Sequence, residues 1–281
     1  MVELGGLLRV EPGGEPVDLS AYDPRGTPGG PGGKKKGLAE IERLRPRLAA
    51  LQEKLFAQSA VGGDPRRLLL VLQGMDTSGK GGTVKHVVAG LNPVGLRVRA
   101  FKAPTEEELR HNFLWRVRKA LPQPGEIGVF DRSHYEDVLI ARVHDLVPEA
   151  TWSRRYAEIN RFERGLAEDG VTVLKVFLHI SPEEQRARLL ARLDRPGKHW
   201  KFSPTDVEDR ARWPDYQQAY EAVLERCSTQ EAPWYVVPAD RKWYRNWAIS
   251  RLLLEHLERI GPEYPEPGFD PEKYRRLLLA L

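Results

Sequence analysis

Residues 68–82 read LLLVLQGMDTSGKGG, and this stretch decides the expected fold. Its apolar first half is typical of a buried strand, and a helical pattern follows over residues 80–91. Gly74, four further residues and then Gly79 and Lys80 form a phosphate-binding loop (P-loop) pattern between strand and helix. Backbone N–H groups of such a turn converge on phosphate oxygens, and the helix adds the positive end of its dipole. We therefore expect phosphate to contact the charge of Lys80 and the loop residues Gly74, Met75, Thr77, Ser78, Gly79, Gly81 and Gly82.

An acidic residue inside this loop indicates a metal. The usual motif has Ser or Thr after the lysine as a magnesium ligand, whereas this chain has Gly81 there. Asp76 lies within the loop, where a carboxylate beside phosphate is unfavourable unless a cation lies between them. We predict that Asp76 helps to hold that cation. The alternative is a chance match to the motif in a glycine-rich chain.

A second carboxylate follows another apolar run. Residues 127–130 are typical of a strand, and Asp131-Arg132-Ser133 come directly after it. An aspartate at the end of a strand beside the P-loop is the usual second metal-holding group, and Arg132 next to it is suited to bridging phosphate oxygens. We expect Asp131 to hold metal and Arg132 to bind phosphate. Alternatively, Asp131 caps a helix that starts near Tyr135.

A basic helix is predicted over residues 182–193. Ser181 and Pro182 form a typical helix start, and the arginines that follow recur at i, i+4 and i+7, hence on one face. We interpret this segment, after the fourth strand, as a lid that brings cations over a phosphoryl group and excludes water. A solvated charged face is the alternative. The cations in question are Arg188, Arg192, Arg195, Lys198 and Lys201.

The rest of the chain alternates strand and helix patterns. Strands are predicted over residues 68–72, 96–101, 127–130, 171–180 and 234–237, and helices over 80–91, 106–121, 135–145, 150–169, 182–193, 216–227 and 242–260. Apolar strands joined by helices predict an α/β fold whose parallel sheet is covered on both faces. A further helix is expected over 38–58, with a kink or break at Pro46.

Composition shifts divide the chain into three expected segments. Residues 1–37 are rich in Gly and Pro and end in three lysines, which predicts an extended or mobile arm. Residues 38–262 form the expected catalytic domain, and residues 263–281 a tail. The single cysteine excludes an internal disulfide and a Cys-based zinc cluster.

The charge and hydropathy of the chain bound its partners and its location. A net charge of +4 is too small to indicate general nucleic-acid binding. No run approaches the roughly 20 apolar residues that a membrane span needs, and residues 1–20 have Gly, Glu and Pro where a signal peptide has a continuous apolar region, so we expect none. We expect a cytoplasmic protein that binds neither membranes nor nucleic acid.

Four motifs, in order, resemble those of the polyphosphate kinase 2 family: GMDTSGKGG at 74–82, FKAPTEEEL at 101–109, FDRSHYEDVL at 130–139 and ARLDRPGKHWKFSPTD at 191–206. The resemblance covers roughly residues 38–260. It implies magnesium-dependent phosphoryl transfer between inorganic polyphosphate and the adenine nucleotides AMP, ADP and ATP. It also implies a thymidylate-kinase-like P-loop core with a helical lid and an N-terminal helical arm, and a homo-oligomer, either a dimer or a tetramer.

The same resemblance implies roles for single residues. Asp76 and Asp131 would hold the metal ions, Lys80 and Arg132 would bind phosphates, and the basic residues from Arg188 to Lys201 would form or flank the lid. Gly81, unusual for an ordinary P-loop enzyme, agrees with this family. The agreement of the motifs favours the subclass that accepts both AMP and ADP. Two other functions fit parts of the sequence: an ATP-dependent nucleoside monophosphate or thymidylate kinase, and a non-catalytic polyanion-binding protein.

Overall fold

Five parallel strands form one sheet at the centre of the protein. The computed structural model describes residues 3–281. The strands are β1 (Arg67–Gln73), β2 (Leu96–Ala100), β3 (Ile127–Asp131), β4 (Val171–His179) and β5 (Trp234–Pro238). Their order is β2-β3-β1-β4-β5, so β1 lies between β3 and β4. Four of the strands are rich in buried aliphatic and aromatic residues, whereas the edge strand β2 is half exposed. This architecture confirms the expected α/β fold of the P-loop kinase type.

Helices cover both faces of the sheet. They are α1 (Leu4–Leu8), α2 (Lys34–Gly62), α3 (Lys80–Val87), α4 (Glu106–Leu109), α5 (Trp115–Ala120), α6 (Ile140–Val143), α7 (Glu149–Glu168), α8 (Pro182–Leu193), α9 (Thr205–Ala211), α10 (Trp213–Cys227), α11 (Lys242–Ile260) and α12 (Pro271–Leu279). A 3₁₀ helix over Pro196–Lys201 connects α8 to the loop before α9. Among residues 3–281, no helix combines the length and the apolar character that crossing a bilayer requires.

The expected break of α2 at Pro46 is wrong. The helix is continuous from Lys34 to Gly62, and its apolar face, which includes Leu44 and Leu48 on either side of the proline, is buried. A proline inside a helix costs about 3 kcal/mol, but packing of an apolar face on both sides of it offsets that cost. The helix also begins earlier than expected, so the lysines at 34–36 lie in its first turn.

Two predicted helices are interrupted in the structure. The pattern over 106–121 divides into α4 and α5, because the Asn112 side chain accepts a hydrogen bond from the Leu114 amide and makes a turn between them. The pattern over 135–145 divides into a 3₁₀ helix (His134–Asp137) and α6. Ser133, not Asp131, caps that 3₁₀ helix by accepting from the Tyr135 amide. The alternative capping role for Asp131 is therefore wrong.

The Gly- and Pro-rich segment between α1 and α2 contains one 3₁₀ helix (Leu19–Ala21) and lies against the body of the protein. Its Leu19 is buried, and backbone oxygens of the segment accept hydrogen bonds from His179 and Tyr244. These contacts attach the segment to β4 and α11. The division of the chain at residues 37 and 262 stays a prediction.

A buried histidine on α11 is expected to make stability depend on pH. His256 is 4% exposed, with Nδ1 2.7 Å from the Leu252 carbonyl oxygen, and its burial lowers the pKa from 6.5 to about 4. Between these values the unfolded chain binds a proton that the folded chain does not. The free energy of unfolding should therefore fall by about 3 kcal/mol as pH decreases through this window.

Denaturant unfolding at several pH values measures this effect. In His256→Asn, the free energy of unfolding should change less between pH 6.5 and pH 4 than in the wild type, because the titrating group is gone. His86→Asn, which removes an exposed histidine, should keep the wild-type pH dependence. Equal pH dependence in the wild type and His256→Asn would contradict the assignment.

Candidate active site

The P-loop lies at the carboxyl edge of the sheet, between β1 and α3. Gly74 has φ +148° and Gly79 has φ +110°, which residues with a Cβ rarely adopt. At Gly74 a Cβ would also lie 2.7 Å from the carbonyl oxygen of Leu178. The glycines therefore permit a tight turn directly against β4. The predicted P-loop is thus found between strand and helix, in the expected context.

Lys80 is buried at the start of α3 and bends back into the loop. Its Nζ donates to the carbonyl oxygen of Gly74 at 2.6 Å and lies 3.4 Å from that of Met75. Burial lowers the pKa of Lys80, while Asp76 and Asp131 favour its charged form. The lysine thus has the two predicted metal-holding carboxylates in its electrostatic environment.

Asp76 and Arg132 form an ion pair at the mouth of the loop. Arg132 Nη2 donates to Asp76 Oδ1 at 2.8 Å. Burial opposes ionisation of Asp76, but the charges of Lys80 and Arg132 outweigh it and hold the pKa of this carboxyl below its ordinary value. Arg132 itself has φ +64°, a strained left-handed backbone that turns the chain sharply at the end of β3. The two predicted residues are therefore in direct contact.

Asp131 is the last residue of β3 and pairs with Leu72 of β1 in the sheet register. Its Oδ2 lies 3.6 Å from the place that a Cβ on Gly81 would take. Glycine at position 81 therefore leaves the space beside this carboxylate open. Because β1 and β3 are neighbours, the second carboxylate reaches the first turn of α3, as the sequence predicted.

The carboxylate and hydroxyl oxygens at the P-loop are suitable ligands for a magnesium ion. Within residues 3–281 no group of three or more Asp, Glu, His or Cys side chains could hold a metal. Magnesium, however, is usually bound by one or two carboxylates, together with substrate phosphates and water. The buried hydroxyl oxygens of Thr77, Ser78 and Thr83 have no hydrogen-bond partner in the described part of the chain, so polar groups remain available at the loop. Two carboxylates beside unpartnered hydroxyls fit such an ion.

A cavity of about 630 Å³ opens in front of the loop. Its walls come from the P-loop, the segment after β3, and the lid formed by α8, the 3₁₀ helix and α9. Arg192 Nη1 donates to Asp206 Oδ2 at 3.0 Å, so these two lid residues hold each other at the cavity wall. The predicted residues that line the cavity are Gly74, Met75, Asp76, Arg132, Arg192 and Lys201.

Other predicted lid cations lie elsewhere. The Arg188 guanidinium is almost fully buried behind the P-loop, where Nη1 donates to the carbonyl oxygens of Thr77 at 2.8 Å and Ser78 at 3.0 Å. Arg195 and Lys198 are exposed and do not line the cavity. The structure therefore brings Arg192 and Lys201 to the cavity and directs Arg188 to the back of the loop.

The cavity also contains groups that sequence reasoning did not assign. Glu136 lies one turn after Arg132; burial raises its pKa, against the opposing charges of Arg132 and Lys80. Tyr216 donates to Asp209 Oδ1 at 3.0 Å, and His144 Nε2 lies 2.7 Å from the same oxygen. Glu136 falls within the motif at 130–139, which was the available signal for it. The contacts of Tyr216 depend on tertiary packing and had no local signal.

A buried ionic network holds the segment after β3. Lys175 on β4 is fully buried, and its Nζ donates to Glu163 Oε2 at 2.5 Å, to Tyr135 Oη at 2.9 Å and to the Cys227 carbonyl oxygen at 2.6 Å. Glu163 also pairs with His134 at 3.0 Å. Burial opposes the charge of Glu163, but Lys175 lowers its pKa. Because His134 and Tyr135 come directly after Arg132 and Ser133, this network holds the segment after β3 in place.

Comparisons with known proteins identify the family of the chain. The chain is 49% identical over 265 residues to "AMP/ADP-polyphosphate phosphotransferase" of Meiothermus ruber, covering 94% of this chain and 97% of that protein. It is 41% identical to "ADP-polyphosphate phosphotransferase" of Rhodopseudomonas palustris, with 94% and 93% covered. The crystal structure of polyphosphate kinase 2 from Arthrobacter aurescens TC1 superimposes with a TM-score of 0.95 at 50% identity, covering 99% and 97%. The family model "Polyphosphate kinase 2 (PPK2)" matches residues 33–264, and the chain belongs to this family.

Proposed function

We propose that this protein transfers a phosphoryl group reversibly between inorganic polyphosphate and AMP or ADP, giving ADP or ATP. The observation that carries the proposal is the buried ammonium of Lys80, influenced by the carboxylates of Asp76 and Asp131, beside a cavity whose walls carry both acidic side chains and the cations Arg132, Arg192 and Lys201. The activities for which the Meiothermus and Rhodopseudomonas relatives are named support the substrate class. The former, with the higher identity, supports acceptance of both nucleotides.

The chain's own groups account for catalysis by positioning and charge stabilisation. The P-loop amides and Lys80 would hold the terminal phosphates, and Arg132 would bind the phosphoryl group being transferred. Arg192 and Lys201 would add positive charge at the cavity wall and help to exclude water. Phosphoryl transfer needs the attacking and leaving oxygens in line and no covalent protein nucleophile. Asp76 and Asp131 would hold magnesium, which neutralises phosphate charge.

Two other predicted roles belong to this proposal. Arg195 and Lys198, exposed on the lid, would contact a longer polyphosphate chain outside the cavity. Arg188 would act through the P-loop backbone that it contacts. The homo-oligomeric assembly and the cytoplasmic location stay predictions.

An activity assay separates the proposed function from its alternatives. Purified protein with Mg²⁺ and long-chain polyphosphate should convert AMP to ADP and ADP to ATP, and both products should be resolved over time by chromatography. AMP with ATP in place of polyphosphate should react much more slowly. The reverse preference would favour an ATP-dependent nucleoside monophosphate kinase. Polyphosphate binding without turnover would favour a non-catalytic polyanion-binding protein. The Asp131→Asn variant is the matched control for contaminating kinases.

A further inference from the structure

A buried arginine from a distant part of the chain contacts the P-loop. Arg245, in the first turn of α11, is 3% exposed. Its Nη1 donates to the Ser78 carbonyl oxygen at 3.2 Å, and its Nε and Nη2 donate to Asn246 Oδ1 at 3.1 and 2.9 Å. The side-chain amide of Asn246 therefore holds the planar guanidinium in one orientation against the loop.

The guanidinium occupies the space beside two loop glycines. A Cβ on Gly79 would lie 1.7 Å from Arg245 Nη1, and a Cβ on Gly82 would lie 3.1 Å from Nη2. The first distance is far shorter than any non-bonded contact. The backbone at Gly79 and the side chain of Arg245 are thus packed directly against each other, so a shift of the arginine would be transmitted to the loop.

Arg245 carries a positive charge without a neighbouring carboxylate. Among the ion pairs of residues 3–281, none includes Arg245, and its charged neighbour at the loop is the like-charged Arg188. Burial and Arg188 lower the pKa of Arg245 to about 10, which leaves it protonated at neutral pH. A buried charge without a counter-charge is strongly destabilising in a protein interior. An anion bound at the loop would supply that counter-charge.

The contact also orients a backbone donor. In a trans peptide, the carbonyl oxygen and the following N–H point in opposite directions. Because the Ser78 carbonyl accepts from Arg245 at 3.2 Å, alongside Arg188 at 3.0 Å, the Gly79 N–H points to the other side of the loop. In the described part of the chain, no backbone hydrogen bond uses this N–H. It is therefore free to donate to a phosphate oxygen.

We propose that Arg245 is a positioning residue for phosphoryl transfer. It holds the Ser78–Gly79 peptide with its N–H towards the phosphate site and adds a positive charge behind the loop. The ligand chemistry that it serves is a chain of linked phosphates, which includes both polyphosphate and the phosphates of a nucleotide. This inference rests on the proposed function for the identity of the reaction, but its binding component can be measured without turnover.

The test compares Arg245→Lys, which keeps a charge and a donor, with Arg245→Gln, which keeps only a donor. Arg251→Gln is the control, because Arg251 lies on the same helix and pairs with Glu255 away from the loop. Circular dichroism establishes that each variant is folded. The measurements are the rise in melting temperature on adding tripolyphosphate, and kcat and KM with AMP and long-chain polyphosphate.

Arg245→Gln should lower kcat by about 100-fold, the scale of a misplaced catalytic group, with little change in KM for AMP. Its tripolyphosphate-induced rise in melting temperature should be smaller than in the wild type. Arg245→Lys should retain most of the rise and of kcat, and Arg251→Gln should retain both. A purely structural role predicts a lower melting temperature with an unchanged rise and unchanged kcat.

Two results would overturn the proposal: a wild-type rise and kcat in Arg245→Gln, or losses in Arg245→Lys as large as those in Arg245→Gln. If Arg245→Gln does not fold, Arg245→Lys decides, since loss of its tripolyphosphate response would overturn the role of the charge. A wild-type protein that binds tripolyphosphate but transfers no phosphate would refute the proposed function instead. The comparison of melting temperatures would then still test Arg245.

Discussion

Asp131→Asn is expected to lower kcat by about three orders of magnitude or more while the protein remains folded, a loss of about 4 kcal/mol in transition-state stabilisation. Asp131 ends β3 beside the first turn of α3, where its carboxylate influences the charge of Lys80. Asparagine has nearly the same shape but no negative charge, so it would hold magnesium poorly. The sheet pairing of β3 involves only its backbone and should persist.

Steady-state kinetics over a range of Mg²⁺ concentrations, with thermal unfolding of the same samples, tests this expectation. Asp169→Asn is the control, because Asp169 is exposed and directly precedes Gly170 and β4, at the opposite edge of the sheet. Near-wild-type turnover in Asp131→Asn would refute the metal-holding role. A large loss that higher Mg²⁺ partly restores would support it more strongly than a loss alone.

Lys80→Ala is expected to lower kcat by about two to three orders of magnitude, the range seen when one charge-stabilising donor is removed from an active site. The ammonium of Lys80 is buried against the carbonyl oxygens of the loop, and the charges of Asp76 and Asp131 act on it. Its loss would remove one of the cations that favour the ionised form of Asp76 and would leave the terminal phosphates without the fixed charge of Lys80. Affinity for polyphosphate should fall as well.

Lys85→Ala is the matched control, since Lys85 is exposed on the same helix. This substitution removes an equal charge from the same region. Turnover and tripolyphosphate-induced stabilisation should stay near wild type in this variant. A mild effect of Lys80→Ala, similar to that of Lys85→Ala, would count against the P-loop assignment.

Lys80→Arg keeps the charge but not the shape, and it should recover only part of the activity because the larger guanidinium does not fit the same turn.

Patterns that are local in sequence predicted the central part of the fold. The five strands lie within a few residues of their predicted positions, because strand and helix periods are properties of short segments. The P-loop was equally predictable, since its glycines, its lysine and the flanking elements are contiguous. Asp131 followed from the same logic, as the end of a strand next to β1.

Features that depend on tertiary packing were not predictable in this way. The continuity of α2 through Pro46 results from the burial of its apolar face, which outweighs the local preference. Asn112 divides one predicted helix, and Ser133 caps the start of a 3₁₀ helix, through side-chain hydrogen bonds that the hydrophobic period does not reveal. The hydrophobic period thus predicted which face of a helix is buried better than it predicted where a helix is interrupted.

In the candidate site, too, local sequence predicted some features and tertiary packing determined the others. The helical spacing placed Arg188 and Arg192 on one face, but it does not specify which neighbours that face meets. In the structure Arg192 reaches Asp206 at the cavity, whereas Arg188 reaches the back of the P-loop. Arg245 lies 166 positions after Gly79 in the chain and had no sequence signal for its contact with the loop. Only the packing of α11 beside α3 brings them together.

Cys227, the sole cysteine of the chain, is buried beside the Lys175 network, and its carbonyl oxygen accepts a hydrogen bond from Lys175. The burial of its thiol has a practical consequence for chemical labelling. Burial raises the pKa of this thiol to about 12, so at neutral pH it is a protected, unreactive group. Maleimide dyes would find no accessible native target. A fluorophore introduced through Trp200→Cys, on the exposed 3₁₀ helix after α8, would therefore report on the surroundings of that helix without background labelling of Cys227.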